Sequence, residues 1–240
     1  MIYMRMKEGI DRYMRTIEVV DYRPEWEKMF KEEEKEIRNI LGKNCIAVYH
    51  IGSTSVRELP AKPIIDIMPV VKDISLVDAH NPEFQALGYD CRGEFGIPGR
   101  RFYAKGGDKR THHIHIFEKS SQADIKRHLA VRDYLRSHPD TAREYGNLKK
   151  QLASLYPHDN DRYCDGKEAY MKELEQKALK WQKDQEASGT SVALGISLGL
   201  CLGTALGTAL NNLGFWLPMG LCLGICFGLG FKRRPPESDQ

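Results

Sequence analysis

Three short runs of this chain carry residue types that can act on a phosphorylated molecule. The first is Gly52-Ser53-Thr54-Ser55, which breaks off the apolar run at residues 46–51. A Gly-Ser turn at the end of a strand offers backbone N–H groups and hydroxyls to an anion. The second is Asp66, the acid set inside the apolar run at residues 64–71. A carboxylate in such a run is costly unless satisfied. Beside a phosphate seat it can hold a divalent cation that bridges to the phosphate. The third is THHIHIF at residues 111–117, whose alternation puts His113, His115 and Phe117 on one face and His112, Ile114 and Ile116 on the other. Imidazoles there can ligate a metal, take a proton from an incoming hydroxyl or donate to a phosphate. Lys62, Arg101, Lys105, Arg110 and Lys167 are the basic side chains placed to neutralise phosphate charge, with arginine suited to bidentate contact.

Each run also has a plainer reading. A Gly-Ser run alone is commonly a turn, a lone Asp in a strand can pair structurally, and an H-x-H strand is often a surface feature. The three together favour a site. His50 reads as packed or hydrogen-bonded. Tyr163 and Lys167 read equally as cleft residues or as packing.

The elements that must position these residues follow from periodicity. Residues 24–41 form a helix, with Pro24 in its first turn, Trp26, Phe30, Ile37 and Leu41 on one side and Gly42 at its end. Strands are expected at 45–51, 64–71, 89–92, 101–105 and 111–117, and short helices at 53–59 and 75–87. Gly106-Gly107-Asp108 reverses the chain between the last two strands. Residues 16–20 read as a short strand or extended entry. Helices follow at 121–137, 140–155 and 166–181. Strands first and helices after indicate an α+β domain, a mixed sheet with helices packed on it.

Charge divides the chain. Its 240 residues carry a net charge of +3, too little for a dedicated nucleic-acid binder, so no specific nucleic-acid partner is expected. Residues 188–231 contain no Asp, Glu, Lys, Arg or His. They hold two apolar stretches, 189–210 and 213–231, divided by Asn211-Asn212, each near the ~20 residues a helix needs to cross a bilayer. Glycines at 195, 199, 203 and 207, and again at 220, 224 and 228, fall on single helix faces and permit close helix packing. They offer helix–helix oligomerisation as a second kind of partnership. Lys180 and Lys183 at one end, and Lys232, Arg233 and Arg234 at the other, place both ends in the cytoplasm by the positive-inside rule. The six cysteines form no C-x-x-C pair and imply reduced thiols. The N-terminal residues have no apolar core of the signal-peptide kind.

HIGSTSV with AKPIIDI (50–56 and 61–67), RTHHIHIF (110–117), RHLAVRDYLRSHPDTAREYGNLKKQLA (127–153) and RYCDGKEAYMKE (162–173) together resemble the GrpB family over about residues 17–181. The resemblance implies a nucleotidyltransferase-like fold and a nucleotide triphosphate as substrate. It matches Gly52 and Ser53 to a phosphate turn that extends to Thr54, and Asp66 to the first metal-holding acid. Where a third acid might be expected, this chain offers His113 and His115, so Asp66, His113 and His115 are the expected catalytic and metal-ligating residues. The position of a second acid holds Met68, a departure from the superfamily pattern. One carboxylate is a poor site for two magnesium ions, and a carboxylate with two imidazoles suits Mn²⁺, Zn²⁺ or Fe²⁺. The expected cofactor is one divalent metal, with Mg²⁺ or Mn²⁺ ranked before Zn²⁺. The apolar segment more weakly resembles glycine-zipper membrane helices.

The organisation expected is thus an N-terminal extension (1–16), a GrpB-like domain (17–182), a linker (183–188), a two-helix transmembrane hairpin (189–231) and a basic, polar tail (232–240). The function expected is metal-assisted nucleotidyl or phosphoryl transfer to a small molecule at the cytoplasmic face of the cell membrane. The alternative is a non-catalytic module, on a degenerate nucleotidyltransferase fold, that binds a nucleotide, a phosphometabolite or a protein.

Overall fold

A computed structural model describes residues 16–230. The extension at 1–15 and the basic tail at 232–240 lie outside the described residues. The chain divides into two compact units between Leu179 and Lys180.

In the first unit, helix α1 (Glu25–Leu41) leads into strand β1 (Cys45–Ile51). Gly42, at φ 49°, ends the helix in a conformation that other residues adopt rarely. Strands β2 (Ile65–Val71), β3 (Tyr89–Cys91), β4 (Arg101–Lys105) and β5 (His112–Glu118) complete a five-stranded sheet in the order β1-β2-β5-β4-β3. The β2–β5 pair is parallel and the other three pairs are antiparallel, so the sheet is mixed. Helices α2 (Asn81–Ala86), α3 (Gln122–Ser137) and α4 (Pro139–Leu155) follow their strands in chain order. Helix α5 begins at Asn160 and runs to Ala209. The unit is α+β, as the order of strands and helices implies.

The sheet separates two apolar layers. On one face Trp26, Phe30 and Ile37 of α1 pack against Ile65, Ile67, Tyr103, Ile114 and Ile116. On the other face Ile51, Met68, Val70 and Phe117 meet Ile125 of α3. Each such fully buried side chain contributes roughly 1.5–3 kcal/mol. Strand alternation fixes which residues enter each layer. It sends Asp66, His113 and His115 to the α3 side, because the even positions of β2 and the odd positions of β5 share that face. A third cluster joins Val56 and Leu59 to Tyr145 of α4 and Met171 and Leu174 of α5. Gly146 allows this approach, since a Cβ there would lie 2.7 Å from Pro60 Cδ.

Two expected helices are shorter than their segments. The segment at 53–59 makes only one 3₁₀ turn, Ser53–Ser55. The stretch at 75–87 makes two 3₁₀ turns and the short α2, with Pro82 in the first turn of α2. Residues 16–20 form the extended entry that the sequence offered as one reading, with one bridge, Val20 to Ala61. The residues read as a linker, 183–188, are helical within α5. Lys, Gln, Glu and Ala are good helix formers, so nothing there interrupts the hydrogen-bond ladder.

In the second unit, α5 ends at Ala209 and α6 (Leu213–Gly230) follows a turn in which Asn211 takes φ 54°. The glycines of one helix lie on those of the other. A Cβ at Gly195 would lie 2.9 Å from Gly228 N, and one at Gly199 would lie 2.9 Å from Gly224 Cα. The glycine faces that the sequence offers for oligomerisation are therefore covered by the partner helix of the same chain. Leucines 194, 198, 202, 206, 223 and 229 point outward and are exposed. Among the described residues α5 is the one helix long and apolar enough to cross a membrane. The apolar part of α6, Leu213–Leu229, is shorter.

Candidate functional site

The parallel register sets Asp66 directly opposite His113, with His115 two residues on and on the same face. His113 Nδ1 lies 3.3 Å and His115 Nε2 lies 3.7 Å from Asp66 Oδ1. One ligand atom from each of the three residues falls within 4.8 Å of the others. Burial by itself raises the Asp66 pKa. Hydrogen bonds and charge from His113 and His115 outweigh that and hold the carboxyl well below its usual range. Burial depresses His115 more than Asp66 raises it, so its imidazole is neutral near pH 7.

The glycine turn rests on this group. Ile51 pairs with Asp66 across the β1–β2 ladder, so the next residue, Gly52, turns over the carboxylate. Gly52 has φ 68° and ψ −173°, a combination essentially confined to glycine. A Cβ on Gly52 would run into Asp66 Oδ2 and stand 3.0 Å from Asp66 Cγ. The glycine is thus required twice, by its dihedrals and by the acid beneath it. Ser55 Oγ closes the turn by donating to Gly52 O at 2.6 Å.

Arg100 completes the floor. It is 4% exposed, lies over the Phe102 ring at 4.9 Å, and donates to the carbonyls of Glu94 and Phe95. Its Nη1 is 3.3 Å from His115 Nδ1. A guanidinium only donates, so Nδ1 accepts and the His115 proton is on Nε2, toward Asp66. Burial and the neighbouring Arg127 push the guanidinium down to about 10, which leaves it charged. His113 Nε2 is buried and has no hydrogen-bond partner.

The other residues singled out in the sequence fall into two groups. Arg101, Lys105 and Arg110 do not join the site. Arg101 makes a bidentate pair with Asp78 at 2.7 and 2.8 Å. Lys105 reaches Glu33 of α1, and Arg110 donates to Gly107 O in the exposed β4–β5 turn. The cause is strand parity: Phe102 and Ala104 oppose His115 and His113, whereas Arg101, Tyr103 and Lys105 face the other way. Arg100, one residue earlier, is the arginine on the correct face, and this alternation is the signal that could have found it. Thr54 is buried and holds the turn, donating to Ile64 O at 3.2 Å with His50 Nε2 at 3.1 Å.

Ser53, Lys62 and Lys167 lie toward a second group of residues. Ser53 is among the groups that act on the buried Tyr145 hydroxyl. The amino groups of Lys62 and Lys167 lie over the Tyr163 ring, 5.0 and 4.9 Å from its centroid. Lys149, one turn after Tyr145 on α4, lies 4.5 Å from the Tyr145 centroid. It is 3% exposed and its Nζ has no hydrogen-bond partner. It is not among the residues that the sequence singles out, because KKQ within a helix carries no local sign of burial. On the other side of the turn is a cavity of about 730 Å³ lined by His50, Ser55, Arg57, Arg132, Arg136 and Arg143 among others. Asp66, His113 and His115 are not part of that lining.

Two family models match the chain, one described as GrpB protein over residues 16–177 and one as glycine zipper membrane protein over residues 185–234. The UPF0157 protein YqkA of Bacillus subtilis (strain 168) is 43% identical over 178 residues, which are 74% of this chain and 52% of that protein. The chain thus spans about half the length of that relative. A UPF0157 protein of Pseudomonas aeruginosa is 38% identical over 172 residues, 68% of each chain. The crystal structure of conserved protein GrpB from Enterococcus faecalis superposes with a TM-score of 0.67 at 48% identity, covering 69% of this chain and 99% of that one.

Proposed function

The chain belongs to the GrpB family, and from that premise and the geometry at Gly52 we propose that its first unit is a metal-assisted nucleotidyl- or phosphoryl-transferase on a nucleotidyltransferase-like fold. The observation that carries the reading is the convergence of Asp66, His113 and His115 within 4.8 Å, directly beneath the glycine turn. The turn presents Gly52 and Ser53 to the phosphates of a nucleotide triphosphate, and the acid beneath it lies where a phosphate-bridging cation would be held.

The donor set fits one divalent metal. Ligands sharing an ion at ~2.0–2.2 Å stand roughly 3–4 Å apart, close to the spacing here. Two imidazole nitrogens and one carboxylate suit Mn²⁺, Zn²⁺ or Fe²⁺ better than Mg²⁺, which favours an all-oxygen shell. That changes the order expected from the sequence. A second ion has no place, because Met68 is fully buried between Ile51, Val70 and Phe117. When bound, the metal would supply charge neutralisation and polarisation at the phosphoryl oxygens. The chain's own residues hold and orient. His113 Nδ1 is hydrogen-bonded to Asp66 at 3.3 Å with His115 Nε2 3.7 Å away, and Arg100 fixes the tautomer of His115. To take a metal on Nε2, His115 must move its proton to Nδ1 and Arg100 must release that nitrogen.

The glycine-zipper match and the apolar length of α5 support a membrane anchor formed by residues 189–231, with both ends in the cytoplasm and the first unit at the cytoplasmic face. A second reading, a non-catalytic nucleotide- or phosphometabolite-binding module, draws on one observation: Met68 stands buried where the second acid of a two-metal site would be.

Calorimetry on the full-length protein tests the main reading. Mn²⁺ or Zn²⁺ should bind more tightly than Mg²⁺, and Asp66→Asn should weaken binding at least about 10-fold. Absence of divalent-metal binding would overturn it. Metal and nucleotide binding without turnover would favour the second reading.

A further inference from the structure

The cavity on the other side of the glycine turn has walls of two kinds. One is apolar: Phe30 of α1, Val48 of β1, Leu135 of α3 and Ala142 of α4, all buried. The other is charged, and basic groups dominate it. Lys31, Arg57, Arg132, Arg136 and Arg143 line the cavity against two acids, Glu27 and Glu58. Asp133 and Asp140, the carboxylates that pair with Arg132 and Arg143, are not in the lining. Arg136 meets Asp133 only at 3.8 Å, and Asp133 already holds Arg132 through two hydrogen bonds at 2.7 and 3.0 Å.

Backbone carbonyls on either side of Gly52 hold the two central guanidiniums. Arg132 Nη1 donates to His50 O at 3.2 Å. Arg136 Nε and Nη2 donate to Ser55 O at 3.1 and 2.7 Å. The forks are therefore in place before a ligand arrives, which lowers the ordering cost of binding. Each terminal guanidinium nitrogen carries a second N–H, so these bonds do not exhaust either arginine. The cavity volume of about 730 Å³ is that of a small-molecule site and far exceeds what a free phosphate ion fills.

We infer that this cavity binds an organic phosphate ester, its phosphate on Arg132, Arg136 and Arg57 and its apolar or aromatic body against Phe30, Val48 and Leu135. A phosphate fits better than a carboxylate, because its additional oxygen and larger charge can serve several forks at once. Asp66, His113 and His115 lie outside the lining, so this binding needs neither metal nor turnover and stands apart from the transferase reading.

The test is calorimetry on the full-length protein in EDTA, with phenyl phosphate and orthophosphate as probes. Phenyl phosphate should bind at least about 10-fold more tightly than orthophosphate. Arg136→Gln should lose at least about 10-fold in phenyl phosphate affinity. Arg57→Glu and Arg143→Glu reverse exposed charges that make no hydrogen bond to the turn among the described residues, and each should lose at least about 3-fold. Equal affinity for the two probes would overturn the assignment, since the apolar wall would then hold nothing. Unchanged affinity in folded Arg136→Gln would overturn it too. So would a loss confined to Arg136→Gln, which would mean that Arg136 acts only through Ser55 on the turn. Should Arg136→Gln not fold, the two charge reversals decide alone, and wild-type affinity in both sinks the inference.

Discussion

The two faces of the sheet handle buried charge in opposite ways. On the α1 face, Glu33 is 8% exposed and accepts two hydrogen bonds from Lys105 at 3.0 and 3.1 Å, with His112 Nε2 3.9 Å away. A helix has carried a carboxylate to a strand lysine, and the pair is closed. On the α3 and α4 side, Asp66 is shared between two imidazoles, His113 Nε2 has no partner, and Lys149 Nζ has none. Unsatisfied atoms occur on both sides, since Tyr89 Oη and His112 Nε2 also lack a hydrogen-bond partner among the described residues, so the contrast lies in the charges: the Glu33 carboxylate has its lysine, whereas Asp66 has only imidazoles beside it. The difference also explains why Lys105, on the closed face, is no site residue although it is close in sequence to His112 and His113.

The largest expected effect tests whether the open face depends on its turn. Gly52→Ala must adopt φ 68° with ψ −173° and place its Cβ against Asp66. It should cost about 3 kcal/mol or more in urea unfolding and abolish metal binding. A stable Gly52→Ala protein with intact metal affinity would show that the turn does not rest on the acid. Next is the closed face. Glu33→Ala leaves Lys105 and His112 without their carboxylate. With the Lys105 side chain 27% exposed, solvent screens part of the loss, and about 2 kcal/mol of destabilisation is expected.

Lys149→Met should go the other way. A methionine of similar length replaces a buried ammonium that has no hydrogen-bond partner among the described residues and lies over the Tyr145 ring, and the protein should gain about 1–2 kcal/mol. Opposite signs for Glu33→Ala and Lys149→Met would sharpen the contrast between the faces. A destabilised Lys149→Met would mean that the lysine is structural and would erase the contrast.

Much of the scaffold was legible in the sequence. Helix α1 and strand β1 follow from apolar spacing and from Gly42, and the turn-acid-histidine set follows from Gly52, Asp66 and the alternation of 111–117. Alternation also allocates His113 and His115 correctly, because it needs only the strand's own residues. What sequence did not supply was pairing across distance. Arg101 was singled out although strand parity turns it away from the site and leaves that face to Arg100. Lys105 looked like a phosphate ligand because its partner, Glu33, is 72 residues away. Lys149 is not singled out, because nothing local says that it is buried against the Tyr145 ring. In the hairpin, glycine spacing announced close packing, but not that the two glycine faces would meet within one chain.

The smallest effect is a slope against pH, and it isolates Lys149 from its neighbours. Burial, with Lys167 and Lys62 beside it and only Asp66 opposing, pushes Lys149 down to about 6 in the folded chain, against an ordinary value near 10.4. Between those values the unfolded chain binds a proton that the folded chain does not, so stability must rise with pH, by at most ~1.4 kcal/mol per unit. His50 and His128, pushed down to about 4 and about 3 mainly by burial, act lower: their contribution is complete above the usual histidine value and fades as pH falls through about 6 to 4. Cys45 and Cys91, raised by burial, oppose the lysine at higher pH, because the unfolded thiols lose protons first. Those groups are the same in wild type and in Lys149→Met. The difference between their urea-unfolding free energies, followed from about pH 7 to about pH 9, therefore reports Lys149 alone. It should narrow steadily as pH rises. A wild-type slope that is unchanged in Lys149→Met would assign the titration elsewhere and leave the open face without its unpaired cation.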